Sequence, residues 1–546
     1  MTKEFFQKTK KYIRVIILLV IIAITVNISL SILNTPATKS LELSSEEFSA
    51  ESAFRHLEVI AEEPHPVESK AKQKVRDYII WEIDALGLEA MVQRSFSKSS
   101  RRGKSAQIEN VLTRIKGYDN SKAVLVLSHY DSVPEGPGAS DDGVAVAAML
   151  DSLKILQEEE FKNDIIFLFT DGEESGLLGA EAFVARNPWK DDVGLVLNFE
   201  ARGTSGPSIM FETSSSNGFL IRHFAKAADT PLASSFSYEV YKRMSNDTDF
   251  SIFNKEGIPG LNFAFIGDGM YYHTKFDNIE NIDLGSLQHH GEYIVSLVNH
   301  FGNIDISSIE EEDRVFFTIP GKILVHYPVT IVFPLLIFII VLFLMVLKIA
   351  INKKIIGFRK LIIHFCWITV LIPATIFLNY IFWQIAKNVL EIPAYQHYFY
   401  DLDFTKYLFY SKELFYSFVI TAFLSIYILY IIFRKKFDLN HLTIASLIWI
   451  FIYALITGLF LEGISYLFAW PLALALTALI IIYQKDYHTK KSAITIPALL
   501  CFLGIVVLLF PILILFNEAM GYMLIPLLGM LSPVMLIIIP HLYPVY

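Results

Sequence analysis

The chain has 546 residues, of which 53% are hydrophobic and 18% are charged, whereas an ordinary soluble domain has about 25% charged residues. This length predicts more than one domain, and the formal net charge of −9 excludes the broad basic surface that a nucleic-acid partner needs. Charged residues are frequent in residues 40–315 and scarce in residues 325–545. The composition therefore predicts a soluble-type domain followed by a membrane domain.

An uninterrupted apolar run spans residues 12–33 and follows a basic flank in residues 1–11. A bilayer core of about 30 Å needs roughly 20 helical residues. The alternative is a cleaved signal peptide, whose apolar region usually has only about 7–15 residues and ends at a small-x-small site. This run is longer and no clear site of that kind follows it. The sequence predicts a cytoplasmic N-terminus at residues 1–11 and a transmembrane anchor at residues 12–33.

Helical and strand patterns alternate through residues 40–305. Helices are predicted at 69–86, 144–156 and 177–186, and short buried strands at 123–127, 164–169, 194–199 and 260–265. Such alternation is typical of an α/β domain with a mostly parallel central sheet and helices on both faces.

Histidines and carboxylates follow or close these predicted strands, or open a helix after them. They are His129, Asp131, Asp141, Glu173, Glu174, Glu200 and His273. In α/β sheets of this kind, ligand sites form at the carboxyl ends of the strands. Zinc accepts histidine nitrogen and carboxylate oxygen, and a pair of zinc ions needs a bridging group such as a carboxylate. The pattern predicts a metal site at one edge of the sheet.

Each of these residues has an ordinary structural explanation when it is taken alone. His129 would be a structural or exposed histidine, Asp141 a helix cap, and the pair Glu173-Glu174 a solvated loop. Asp131 changes the interpretation of His129, because a carboxylate beside a ligand histidine commonly accepts its second N–H. Taken together, in this order and at strand ends, the residues favour a metal site.

Three motifs carry a resemblance to a known family. They are His129-x-Asp131, Gly138-Ala139-Ser140-Asp141-Asp142-Gly143, and Asp171-Gly172-Glu173-Glu174-x-Gly176-x-x-Gly179. Together they resemble the co-catalytic zinc aminopeptidase family, which includes glutamate carboxypeptidases and relatives of glutaminyl cyclases, over residues 45–305. The resemblance implies two Zn²⁺ ions, one held by His129, Asp141 and Glu200 and the other by Asp141, Glu174 and His273. Asp141 would bridge them, Glu173 would be the general base, and Asp131 would orient His129.

Two further segments resemble the membrane-bound branch of that family, the endoplasmic reticulum metallopeptidases and fungal vacuolar membrane proteases. Pro64-His65-Pro66-Val67-Glu68-Ser69 resembles their Pro-His-Pro-x-Gly-Ser segment, with Glu68 in place of Gly. Asn246-Asp247-Thr248-Asp249-Phe250 resembles their Ser-Asp-Thr-Asp-Phe segment, with Asn246 in place of Ser. Neither departure affects an implied metal ligand. Because the C-terminal region is short for the eukaryotic members, a bacterial plasma membrane is the expected location, with the endoplasmic reticulum or vacuole membrane as the alternative for a eukaryotic source.

Residues 325–546 are predicted to form a membrane domain of about seven helices. The candidate spans are 325–350, 361–386, 413–433, 441–461, 464–484, 493–516 and 519–541. Basic residues fall in alternate loops, at Lys353, Lys354, Arg359, Lys360, Arg434, Lys435, Lys436, Lys485, Lys490 and Lys491. Cytoplasmic loops carry the excess of Lys and Arg. Eight spans, counting the anchor, put every basic loop on the cytoplasmic side and residues 34–324 on the other side.

The sequence thus predicts a multispan membrane metallopeptidase with an extracytoplasmic two-zinc domain that acts on peptides, with aminopeptidase action as the leading specificity. In the expected reaction, Glu173 accepts a proton from a water that bridges the two ions and passes it to the leaving amine. One alternative is an inactive receptor on a peptidase fold, which predicts lost ligands, whereas all five are present. Another is a transporter, which predicts charges in mid-span, and these are scarce. Oligomeric state is left open.

Overall fold

The computed structural model describes residues 2–40, 47–100, 103–119, 122–389, 412–489 and 491–542. Lys490 and residues 390–411, between the predicted spans 361–386 and 413–433, lie outside this part of the chain. The chain divides into two compact units. The α/β unit comprises Leu33–Thr318 and Lys322–Pro328, and the helical unit comprises Met1–Ile32, Ile319–Gly321 and Val329–Tyr546.

A seven-stranded sheet forms the centre of the α/β unit. Its strands are β1 (Met91–Lys98), β2 (Ser105–Ile115), β3 (Ala123–His129), β4 (Asp164–Thr170), β5 (Val193–Ala201), β6 (Ile209–Thr213) and β7 (Gly260–Phe265), in the spatial order β1-β2-β4-β3-β5-β7-β6. The four central strands are parallel, as predicted, while β1, β2 and β6 run antiparallel to their neighbours. A separate two-stranded sheet consists of β8 (Arg314–Ile319) and β9 (Ile323–Pro328).

Helices cover both faces of this sheet. They are α2 (Ala50–Ile60), α3 (Lys70–Ala85), α4 (Ala145–Leu156), α5 (Leu178–Arg186), α6 (Gly218–Ala227), α7 (Ser235–Tyr241), α8 (Phe250–Lys255) and α9 (Leu284–Phe301). Alternate side chains of β3 enter two different cores: Val124 and Val126 join α2, α4 and α9, whereas Leu125 joins Phe183 of α5 and Phe253 of α8. Each large apolar side chain contributes about 1.5–3 kcal/mol when it is buried. The predicted layering, with helices on both faces, is confirmed.

The helical unit contains long apolar helices. They are α1 (Thr2–Leu30), α10 (Val332–Asn352), α11 (Phe358–Val389), α12 (Lys412–Phe433), α13 (Leu439–Phe460), α14 (Tyr466–Gln484), α15 (Lys491–Met520), α16 (Leu524–Met530) and α17 (Ser532–Leu542). Among the described residues, seven helical segments are long and apolar enough to cross a membrane, and an eighth if α16 and α17 count as one span. The chain is an integral membrane protein.

The C-terminal helices differ in detail from the predicted spans 493–516 and 519–541. Helix α15 continues through the polar pair Asn517 and Glu518, which is buried within the helical unit rather than exposed in a loop. Helices α16 and α17 then meet at a bend of 55°. A polar pair in sequence resembles a turn, but packing against neighbouring helices lets a membrane helix retain it.

Three of the basic loops meet at one end of the helical unit. Lys353, after α10, donates from Nζ to the Gln484 carbonyl at 3.1 Å and to Asp486 Oδ1 at 2.7 Å, both after or at the end of α14. The backbone N–H of Gly357 donates to His441 Nε2 at 2.9 Å, which connects the α10–α11 loop to the start of α13. The basic residues of these loops therefore occupy the same end of the unit.

Candidate metal centre

The sequence motifs converge at the carboxyl edge of the four parallel strands. His129 is the last residue of β3, and Glu200 is the penultimate residue of β5. Asp141 lies in the helical turn Ala139–Val144 that precedes α4. Glu173 and Glu174 lie between β4 and α5, and His273 follows β7. Parallel strands end at a common edge of the sheet, so residues far apart in sequence become neighbours.

Two clusters of ligand atoms share Asp141. One comprises His129, Asp141 and Glu200, the other Asp141, Glu174 and His273, and in each cluster the ligand atoms all lie within 4.8 Å of one another. Asp141 Oδ1 is 3.2 Å from His129 Nε2, and Asp141 Oδ2 is 3.0 Å from His273 Nε2. The two oxygens of one carboxylate thus face two different histidines.

Glu173 lies beside these clusters. Its carboxylate, His129 and Glu174 form a third group whose ligand atoms lie within 4.8 Å of one another. The pKa of Glu173 is raised well above its usual value by burial and by the charges of Glu200 and Glu174. A carboxyl group with a raised pKa holds a proton more strongly, which suits proton transfer near neutral pH.

Asp131 connects His129 to the loop that carries Glu173. The backbone carbonyl of Asp131 accepts from His129 Nδ1 at 2.9 Å, while its carboxylate Oδ1 lies 3.6 Å from the same nitrogen. That oxygen accepts instead from the backbone N–H groups of Gly172 and Glu173, at 2.8 and 2.9 Å. With a proton on Nδ1, His129 directs the lone pair of Nε2 toward Asp141. The expected orientation of His129 therefore comes through the main chain of Asp131.

Asp277 holds the loop of Asp141 and was not among the predicted residues. Its Oδ1 accepts from the Ser140 N–H at 2.6 Å, and its Oδ2 accepts from the Asp141 N–H at 3.1 Å. Gly138 begins this loop with φ of 64°, and a Cβ there would lie 2.7 Å from the Asp141 carbonyl oxygen. Asp277 is the fourth residue after His273, in a polar loop where several carboxyl and amide side chains look alike in sequence.

A buried lysine supports the loop between β4 and α5. Lys72 of α3 is 2% exposed, and its Nζ donates to Asp171 Oδ2 at 2.8 Å. The same oxygen accepts from the backbone N–H of Glu109 at 2.8 Å. Asp171 directly precedes Gly172 and Glu173, so this contact fixes the start of the loop that carries Glu173 and Glu174. In sequence Lys72 resembles an exposed residue of an amphipathic helix.

Hydrogen bonds from side-chain amides position Glu200. Asn198 Nδ2 donates to Glu200 Oε1 at 3.2 Å and to Asn262 Oδ1 at 2.9 Å. Asn262 Nδ2 in turn donates to Glu212 Oε2 at 2.8 Å. The network runs across β5, β7 and β6 and leaves the other oxygen of Glu200, Oε2, 3.8 Å from His129 Nε2.

Several carboxyl groups are buried together at the site, and burial favours their protonated forms. Burial raises the pKa of Glu200 to about 8, and the charge of Asp141 adds to the effect. Burial lowers the pKa of His273, but the charge of Glu174 and the contact with Asp141 outweigh it and raise the pKa to about 10. Buried charges of this kind are normally paired or coordinate a metal.

The donor atoms fit a cation. Asp141 Oδ2 and His273 Nε2 are buried, and within the described part of the chain neither has a hydrogen-bond partner, although they lie 3.0 Å apart. A histidine nitrogen and a carboxylate oxygen that face each other this closely in a buried site match a metal ligand pair, because a bound metal takes the place of the proton on His273. Histidine nitrogen with carboxylate oxygen is a donor set that zinc accepts.

Comparison with known proteins gives one family and several relatives. Residues 110–298 match the model of Peptidase family M28. The chain is 35% identical over 231 residues to endoplasmic reticulum metallopeptidase 1 of Rattus norvegicus, which covers 40% of this chain and 26% of that protein. It is 31% identical over 320 residues to the vacuolar membrane protease of Candida dubliniensis, which covers 55% and 34%. The solved aminopeptidase from Aneurinibacillus sp. strain AM-1 is similar with a TM-score of 0.41 at 14% identity, covering 49% of this chain and 98% of that chain.

The fold and the clustered histidines and carboxylates define an α/β domain with a candidate metal centre. Residues 110–298 of the α/β unit thus match the model of Peptidase family M28, and the chain is similar to an endoplasmic reticulum metallopeptidase and a fungal vacuolar membrane protease. The resemblance that the motifs indicated is thereby confirmed. The chain spans 26% and 34% of the length of the two curated relatives.

Proposed function

We propose that the protein is a membrane-bound zinc metallopeptidase that hydrolyses peptide bonds, with two zinc ions and aminopeptidase action. The observation that carries the proposal is Asp141, whose two carboxylate oxygens face His129 at 3.2 Å and His273 at 3.0 Å. One carboxylate shared by two sets of ligands is the arrangement that a pair of metal ions requires.

The residues divide between two metal sites that share Asp141. One site comprises His129, Asp141 and Glu200, and the other comprises Asp141, Glu174 and His273. Zinc bound there would polarise the scissile carbonyl and lower the pKa of water. His129 is held in the required tautomer by the Asp131 carbonyl, and Glu200 is held by Asn198.

Glu173 is the proposed general base and acid. Its backbone N–H is fixed by Asp131, and its carboxylate lies beside His129 and Glu174. It accepts the proton of the attacking water and donates it to the nitrogen of the leaving amine. Burial keeps its pKa raised, so the protonated form needed for the second step is accessible near neutral pH.

A peptide library tests this function. The full-length protein, purified in detergent, is expected to remove N-terminal residues from unblocked peptides, to lose activity with a chelator, and to regain it with zinc. Peptides acetylated at the N-terminus should resist cleavage. Cleavage of acetylated peptides at internal bonds would contradict aminopeptidase action, and full activity after complete metal removal would contradict the metallopeptidase mechanism.

For the membrane topology we propose that the α/β unit faces away from the cytoplasm. The basis is the basic flank before residue 12 and the alternate basic loops, three of which meet at one end of the helical unit. Basic loops within about 15–20 residues of a span set orientation. Peptide substrates would then be extracytoplasmic.

A further inference from the structure

Arg202 has an unusual environment within the α/β unit. It follows β5 directly and lies two residues after Glu200, a position that places both side chains on the same face of an extended strand. Its guanidinium carbon lies 5.8 Å from the ring centroid of Tyr272. The ring of Tyr272 stacks on that of His273, with centroids 3.8 Å apart and planes 20° apart. Arg202 is thus separated from a proposed metal ligand by a single aromatic ring.

Among the described residues, Arg202 has no acidic or hydrogen-bonding partner for its side chain. Alone among the arginines that the structure describes in the α/β unit, its side chain forms neither an ion pair nor a hydrogen bond. The others bond to carboxylates or to serine and carbonyl oxygens: Arg55, Arg76, Arg94, Arg114, Arg186, Arg222, Arg243 and Arg314. A partly buried guanidinium normally has an anionic or carbonyl partner.

The charge of Arg202 reaches the space around the metal centre. The pKa of Tyr241 is raised by burial and by the charges of Glu212, Glu200 and Glu173, and Arg202 acts on the same phenol in the opposite direction. Arg202 is therefore a positive group at a site whose other charged side chains are mostly carboxylates. Those carboxylates are occupied by histidine, asparagine and backbone N–H groups, and none of them pairs with Arg202.

We propose that Arg202 binds a carboxylate of the substrate, and that this carboxylate is the C-terminus of a short peptide. The proposal rests on the proposed peptidase function and names its substrate class, dipeptides and tripeptides with a free C-terminus. A guanidinium fork matches a carboxylate in two parallel hydrogen bonds. The separations from His273 to Tyr272 and from Tyr272 to Arg202 give a path of at most about 10 Å, which two or three residues of extended peptide span at about 3.3–3.6 Å per residue.

The expected effect is a preference for free acids over amides. Hydrogen bonds to charged groups are strong enough to change kcat/KM by about tenfold to a hundredfold. The wild-type protein with zinc is compared on dipeptides X-Ala, with several residues at X, and on the same dipeptides as C-terminal amides. The free acids should be cleaved faster by that factor. Arg202→Gln should abolish the preference, mainly through a higher KM, and Arg202→Lys should restore part of it.

Arg222→Gln is the matched control, because Arg222 pairs with Glu311 on the surface of the same unit. It should keep the preference for free acids. Zinc content and melting temperature of each variant show whether it folds, and the acid-to-amide ratio of the wild type tests the proposal without any variant. The amide X-Glu-NH₂ has a carboxylate on its side chain but none at its C-terminus, so its cleavage shows whether a side-chain carboxylate can replace the terminal one.

The outcomes separate the two proposals. Equal cleavage of acids and amides by the wild type would overturn the role of Arg202 and leave the peptidase function intact. A preference for X-Glu-NH₂ over X-Ala-NH₂, with none for the free acids, would overturn the terminal carboxylate. Failure of the zinc-loaded wild type to cleave any of these peptides, or longer ones, would contradict the peptidase function itself.

Discussion

At the scale of single residues, Asp141 belongs to both clusters of potential metal ligands. Each of its carboxylate oxygens faces a different histidine, and its backbone N–H is held by Asp277. The carboxylate therefore cannot turn toward one cluster without leaving the other. If the two proposed zinc sites share Asp141, this side chain should affect metal content more than either histidine does.

Substituting Asp141 tests this directly. Asp141→Asn should reduce binding at both sites, because an amide offers one oxygen where the carboxylate offers two. His129→Ala and His273→Ala should each weaken mainly one site. The zinc content of the purified variants, measured by mass spectrometry, shows whether one site or both sites are affected. Equal losses in all three variants would argue against a shared carboxylate.

The site residues differ in how far the sequence could predict them. The proximity of His129, Glu173, Glu174 and Glu200 was predictable, because each lies at or shortly after the end of an apolar strand, where ligand sites form. Asp277 was not, because its role depends on where the chain returns after β7, and Lys72 was not, because its burial depends on packing against β2 and β4. Such supporting contacts depend on tertiary structure.

At the scale of elements, the four parallel strands were predictable and the three antiparallel strands were not. Strands β3, β4, β5 and β7 are buried along their full length and therefore appear as continuous apolar runs. Strands β1 and β2 alternate between buried and exposed residues and contain many polar side chains, and β6 has only five residues. The formation of β1, β2 and β6 depends on pairing with a neighbouring strand, and this pairing cannot be read from the sequence.

The contact between helix α3 and the loop after β4 gives a prediction at this scale. Lys72→Met should destabilise the α/β unit by about 3–5 kcal/mol, because it leaves Asp171 buried beside no cation from α3. It should also lower activity, since Asp171 precedes the Glu173 loop. Lys74→Met is the control, because Lys74 is exposed and pairs with exposed Glu63. Denaturant unfolding and turnover measure both effects, and identical behaviour of the two variants would contradict the supporting role of Lys72.

At the scale of the whole molecule, buried carboxylates link stability to pH and to metal. Burial raises the pKa of Glu200 and of Asp277 to about 8 in the metal-free protein, from ordinary values of 4.5 and 3.8. The folded metal-free chain then holds protons that the unfolded chain releases. Its stability therefore falls as the pH rises from the ordinary values of these groups toward about 8.

Zinc should reverse this trend, because its ligands bind in their deprotonated forms. The gain in melting temperature on adding zinc should increase between about pH 5.5 and about pH 7.5. Thermal unfolding of the full-length protein in detergent, with zinc or with chelator, measures the gain. A gain that is the same at both pH values would contradict the linkage.

Topology also belongs to the whole chain. In a background without Cys366 and Cys501, a cysteine in place of exposed Lys104 should react with an impermeant reagent in intact cells. A cysteine in place of exposed Lys435 should react only after the cells are opened. The basic loops predict this result through the excess of Lys and Arg on the cytoplasmic side. Labelling of position 435 alone in intact cells would invert the orientation.

The number of zinc ions needed for activity distinguishes a two-zinc peptidase from any other use of this site. Metal-free protein is titrated with zinc while hydrolysis is followed, and Glu173→Gln is titrated in parallel for metal content. Activity of the wild type should reach its plateau at two zinc ions per chain. Glu173→Gln should bind two as well, yet lose about 10²- to 10⁴-fold in rate, the usual cost of removing a general base. A plateau at one zinc ion, or near-normal turnover of Glu173→Gln, would contradict the account.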